Sequence, residues 1–390
     1  MILPSSPSLF RSFFLGGFEC SSHRRFDGQR LDLLAATGHE RLVAEDYRLL
    51  SHHRITAARD GLRWHLIETV PGHYDWSSVL PMLRAARANG TQITWDLCHY
   101  GWPDDLDIWS PEFIDRFARF ATAAAQLVRD ETEGDAFYCP INEISYWAWA
   151  GGEVGRFNPC CHQRGPDLKR QLVRATIAAI DGIRTVDRRA RFITAEPLIN
   201  VEGGLGDEHH IRGAETYRLS QFEVLEMLAG RMEPELGGAA EFIDIVGVNY
   251  YPDNQWYHAG PTIPLGHHAY RPLHDMLIEV HRRYGRPILI AETGAEGSGR
   301  PSWLHYVCAE VREAMEAGVP MEGICLYPII DYPGWDNERI CHVGLLSAVD
   351  DHGRRSVCAP LARELSRQQE LFRELDTVAN TQAGTLAAAE

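Results

Sequence analysis

Eight short apolar runs, separated by helical patterns, constrain this chain more than any other feature. They are SFFLGGFE (12–19), AARDGLRWH (57–65), QITWDLCH (92–99), FYCPINE (137–143), RFITAE (191–196), FIDIVGVNYY (242–251), PILIAETG (287–294) and GICLYPIID (323–331). Strands buried on both faces read as near-continuous apolar runs. Helical spacing of apolar residues fills 31–50, 79–88, 111–129, 167–186, 217–231, 273–284, 302–317 and 358–375. Eight strands alternating with helices predict an α/β fold, a (β/α)8 TIM barrel. An open doubly wound sheet would bring a Gly-rich phosphate turn, and neither GxGxxG nor GxxxxGK[ST] occurs. The barrel is expected over 1–376 as one domain, with 377–390, small and polar, as a disordered tail. Segments 151–166 and 203–213 read as loops, the first of them beside the active site.

In such barrels the chemistry sits at the C-terminal strand ends. Here those ends offer Glu19, Arg59, His99, Asn142 with Glu143, Glu196, Asn249 with Tyr250, Glu292 and Asp331. A carboxylate at the mouth of a buried strand is costly without a partner or a task. Glu143 and Glu292 close two similar strands. Paired carboxylates are what glycosidic bond hydrolysis needs, one as acid and base and one as nucleophile.

The order of motifs resembles glycoside hydrolase family 1, over roughly 12–350, and more widely the barrel glycosidases with their acid on strand four and nucleophile on strand seven. ARDGLRW is similar to that family's YRFSISW, and ITWDLCHYGWPDDL to its TLYHWDLPQAL. INEI resembles TLNEP, and IAETG resembles ITETG. YPIIDYPGW…GLLSAVD looks like WSLLDNFEW…FGLVYVD. The resemblance implies a retaining β-glycosidase with Glu143 as acid/base and Glu292 as nucleophile. It implies substrate contacts from Arg59, His99, Asn142, Tyr250, Tyr327 and Trp335, with Tyr250 bonded to the nucleophile. A transglycosidase using the same two glutamates, and a non-catalytic sugar-binding barrel, are the alternative readings. Two departures bear on the substrate. No Gln stands in CSSHRRFDG, and Gly334 stands where a Glu usually precedes the last Trp. His23, Arg24 and Arg25 are the candidates to replace them, which would suit a glycone with an acidic or unusual substituent.

Net charge and cysteine usage bound the partners. The formal net charge is -16 with no basic patch, which disfavours nucleic acid and anionic membranes. A small carbohydrate is the expected partner. The nine cysteines have no framework spacing, and the N-terminus lacks the pattern of a secretory signal. A reduced, cytoplasmic chain is expected. The histidine pairs lack the HExxH spacing of a helical zinc site, so neither metal nor cofactor is expected. Trp102, Trp147, Trp149 and Trp335 follow strand ends and are candidates to stack on sugar faces.

Overall fold

The computed structural model describes residues 9–204, 208–337 and 339–387, with side chains to residue 375. Its strands are β1 (Phe14–Gly17), β2 (Ala57–Gly61), β3 (Gln92–Cys98), β4 (Phe137–Ile141), β5 (Arg191–Pro197), β6 (Ile245–Asn249), β7 (Ile288–Thr293) and β8 (Met321–Leu326). Each pairs in parallel with its sequence neighbours, and β8 returns to β1, with Phe14 opposite Ile324. This is the expected (β/α)8 barrel. The main helices are α1 (His39–His52), α2 (Leu80–Asn89), α3 (Pro111–Glu131), α4 (Gly165–Val186), α5 (Glu208–Ser220), α6 (Leu273–Tyr284), α7 (Arg300–Glu316) and α8 (Ala359–Ala387).

Alternation along the strands makes two cores. Leu15, Ala57, Cys139, Ala195, Leu289 and Cys325 fill the barrel interior, and Phe10 closes its lower end with its ring 4.8 Å from that of Phe137. The other strand faces pack on the helices. On α3, Pro111 starts the helix, and Phe113, Phe117, Phe120, Ala124 and Val128 form the buried stripe. β2 shows the alternation with charges. Arg59 points inward and Asp60 outward, where it meets His39 and Tyr47 of α1.

Three expectations change in detail. The pattern over 31–50 breaks at Gly38, whose φ of 72° turns the chain between Leu33–Ala36 and α1. The polar segment 203–213, of which 205–207 lie outside the described residues, is helical from Glu208, with Arg212–Glu208 and Arg218–Glu215 pairs along successive turns of α5. α8 runs to Ala387, through most of the segment read as a tail; residues 388–390 lie outside the described residues. Among the described residues no helix is long and apolar enough to cross a membrane.

Candidate active site

The strand tips open into a cleft of about 1220 Å³, with Glu143 and Glu292 among its lining residues. Glu292 lies within β7, and its two oxygens have different partners. Oε1 accepts from Arg59 Nη1 at 2.8 Å, and Oε2 from the Tyr251 hydroxyl at 2.9 Å. Arg59 is fully committed. Its Nε donates to Asp96 at 2.9 Å, Nη2 to Asn142 Oδ1 at 2.6 Å, and Nη1 also to the Ala291 carbonyl at 3.2 Å. One guanidinium thereby ties β2 to β3, β4 and β7. Burial raises the pKa of Glu292, Arg59 lowers it and Glu143 raises it, for a balance of about 7.

Glu143 has no cation on its oxygens. Asn249 Nδ2 donates to Oε1 at 2.9 Å and the Tyr100 hydroxyl to Oε2 at 2.7 Å. Burial dominates and raises its pKa, reinforced by Glu196 and opposed by the two donors. The guanidinium on Glu292 favours its anion, and Glu143 has no such partner. Glu143 also adopts a left-handed backbone, with φ 44° and ψ 61°, at the turn from β4 into the short helix Ile144–Trp147. Non-glycine residues rarely occupy that region, and such strain collects at functional sites.

At the inner end of the cleft, His99 follows β3. Its Nδ1 lies 3.1 Å from Asp96, and its Nε2 lies 3.1 Å from Asn142 Nδ2 and 3.9 Å from Glu19. Burial works against a charged ring, yet Asp96 and Glu19 hold its pKa above the ordinary histidine value. The Tyr327 ring stacks parallel to His99 at 6.2 Å and lies under Arg59. The Tyr327 hydroxyl and Trp335 Nε1 are buried without a hydrogen-bond partner, although both residues line the cleft. Glu19 reaches the same space, held by the Ser21 backbone N–H at 2.9 Å and by the Ser21 hydroxyl. Gly17 makes room for this floor, since a Cβ there would lie 2.1 Å from the Tyr327 ring.

Six of the eight residues singled out in the sequence, namely Arg59, His99, Asn142, Glu143, Glu292 and Tyr327, form this connected cluster, and Trp335 lines the same cleft. Tyr250 does not join it. Its hydroxyl bonds Tyr270 at 2.6 Å and Gln255 at 2.7 Å, and its ring stacks on Trp303. The reason is the two-residue period beyond β6: Asn249 and Tyr251 face the cleft, and Tyr250 faces the helices. The phenol on Glu292 is therefore Tyr251. Three partners were missed as such: Tyr100, Tyr251 and the role of Asn249 on Glu143. The alternation of VGVNYY carried the signal for the last two.

The basic residues expected to recognise an acidic glycone lie elsewhere. Arg24 bonds Asp104 at 2.8 Å, Arg25 pairs with Asp27 at 2.8 Å, and His23 packs its ring on Phe157 and Trp335. Trp147 is wholly buried, with Nε1 donating to Asn158 O, whereas Trp149 and Trp335 line the cleft. Cys20, Asp96 and His99 bring potential metal-ligand atoms together, but these already bond each other and Asp96 also holds Arg59. A cation beside that guanidinium would meet like charge, so the trio fits an orienting network for His99 better than a metal centre.

No protein-family model matches this chain, and no curated protein matches its sequence. Solved structures do match its fold. A family 1 β-glucosidase from Thermotoga maritima superposes with a TM-score of 0.75 at 16% identity, covering 94% of this chain and 99% of that one. The AHE enzyme from Alicyclobacillus herbarius gives 0.77 at 18% identity, covering 94% and 98%. At such identities the likeness is one of fold.

Proposed function

We propose that this chain is a retaining β-glycosidase that hydrolyses a small glycoside with a neutral glycone. The observation that carries the reading is the unequal company of two buried carboxyl groups at one cleft. Glu292 has a guanidinium and a phenol, which favour its anion; Glu143 has no cation on its oxygens, and burial with a nearby acid favours its protonated form against two neutral donors. The β-glucosidase neighbours of the same fold lend support.

In the first step the Glu292 carboxylate attacks the anomeric carbon while Glu143 gives its proton to the departing oxygen. The glycosidic bond breaks as an ester to Glu292 forms. In the second step Glu143, now ionised, takes a proton from water, whose oxygen displaces Glu292 and restores both side chains. Asn142, fixed by Arg59, and the two unpartnered donors on Tyr327 and Trp335 would hold glycone hydroxyls. Glu19 accepts hydrogen bonds from hydroxyls and repels a carboxylate or phosphate, so an anionic glycone fits poorly. Toward the outer end, Trp149, Tyr217 and Met232 stand 39%, 40% and 36% exposed, while Lys169 and Arg170 are paired with Glu223 and Glu233. That wall suits an apolar or aromatic aglycone. Aryl glycosides with different glycones, followed by proton NMR of the first-formed anomer, test the proposal. A product of inverted configuration, or no hydrolysis of any member, overturns it.

A further inference from the structure

Glu196, at the tip of β5, is a buried carboxyl group that the double displacement does not use. It is 3% exposed; Oε2 accepts from the Ser145 backbone N–H at 3.0 Å, and Oε1 is buried with no partner. A carboxyl group left half-satisfied in the interior is costly, and no ion pair compensates here. Its surroundings face one residue. The Glu143 backbone N–H donates to the Ala195 carbonyl at 2.9 Å, so the last two residues of the motif TAE grip the strained turn on both sides of Glu143. The register carries this contact: β4 pairs with β5 only through Phe137 and Tyr138, and above them the turn leans on the β5 tip by these two bonds.

We propose that Glu196 is a positioning residue for Glu143, holding its left-handed turn in place and, once ionised, keeping the proton on the acid/base. The inference rests on the role proposed above for Glu143. The first part follows from the two hydrogen bonds. The second follows from like charge: an anion at Glu196 opposes the appearance of another at Glu143. The groups acting on Glu196 are few. Burial raises its pKa to about 7; the Ser145 side chain and backbone, Lys169 of α4 and the Ile144 backbone lower it, and Lys169 is itself paired with Glu223. Glu143 is acted on by Asn249, Tyr100, Glu196 and His99, with Glu292 coupled to it across the cleft. Once ionised, Glu196 extends the working range of the acid upward by opposing a second charge at Glu143.

The variant Glu196→Gln separates charge from shape, because the amide oxygen still accepts from Ser145. The upper limb of the kcat/KM–pH profile, read with an aryl glycoside of poor leaving ability, should move to lower pH. A shift of one unit would mean about tenfold less activity on that limb. A dinitrophenyl glycoside, which needs little protonation, should keep its rate. An upper limb unchanged in E196Q overturns the inference, since a merely structural role would leave it there. Should E196Q fold poorly, 13C NMR titration of glutamate-labelled wild-type protein, assigned with Glu143→Gln, reads the same coupling. A Glu143 titration with no inflection from a second carboxyl group would overturn it. Glu143→Ala and Glu292→Gly run alongside. If these keep activity, the glycosidase reading fails; if they lose it while E196Q leaves the limb in place, only this inference fails.

Discussion

Replacing Tyr251 with Phe deletes one hydroxyl and tests how the proposed nucleophile, Glu292, is kept ionised. That hydroxyl donates to Glu292 Oε2 at 2.9 Å, and burial together with the adjacent carboxylates holds the phenol protonated. A hydrogen bond to an ionised group contributes about 1.5–3 kcal/mol. At 1.36 kcal/mol per unit, its loss raises the Glu292 pKa by roughly one to two units. Starting from about 7, the ionised fraction at pH 7 falls from about one half to between about a tenth and a hundredth, so kcat/KM should drop about 5- to 50-fold. The lower limb of the kcat/KM profile should move upward, and activity should recover at higher pH. Tyr250→Phe is the matched control. It breaks bonds to Tyr270 and Gln255 away from the cleft, and should lower the melting temperature while leaving the limb in place. The reasoning is refuted if Y251F titrates like the wild type, or if Y250F moves the limb instead.

Other consequences are as open to measurement. Glu292→Gly should lose hydrolysis and, with an activated substrate and azide, yield a glycosyl azide of inverted configuration; Glu143→Ala with azide should yield the retained one, and identical products would show the roles are misassigned. Uronides and 6-phosphoglycosides should be turned over at least about tenfold more slowly than the best neutral glycoside, because Glu19 lines the cleft and would repel an anionic glycone; equal rates would refute the proposed seat of the glycone. His39, buried between Asp46 and Asp60, has its pKa raised to about 9 by those carboxylates against the opposing effect of burial. Its folded value exceeds the unfolded one, so its contribution, roughly 3 kcal/mol, is complete below about pH 6.5 and is lost as pH rises through about 9. Melting temperatures followed from pH 6 to 10 should show that decline, and His39→Gln should flatten it.

The sequence made the frame legible because buried strands and amphipathic helices write different periods, and eight alternations leave few folds. The two glutamates were legible because carboxylates at the ends of apolar strands need an explanation. Side-chain direction was harder to read. In VNYY either tyrosine could have faced the cleft, and only the strand's last hydrogen-bonded residue, Asn249, fixes the parity. The direction of the nearby basic side chains was hard to read for a different reason. Charges near a strand end in sequence, such as Arg24 and Arg25, can find partners outside the barrel mouth, while Glu19 lines the cleft. The clamp on Glu143 from β5 joins segments some fifty residues apart, and no local pattern announces it.

Under the role proposed for Glu143, its left-handed turn sets stability and activity against each other at one position. An asparagine or glycine would sit there at lower cost, by about 1 kcal/mol or more. It would also remove a buried carboxyl group. A thermostability screen run without an activity readout should therefore enrich inactive substitutions at residue 143. Diverged copies of such a barrel, once freed from catalysis, would drift toward the same change and melt higher than their working ancestor.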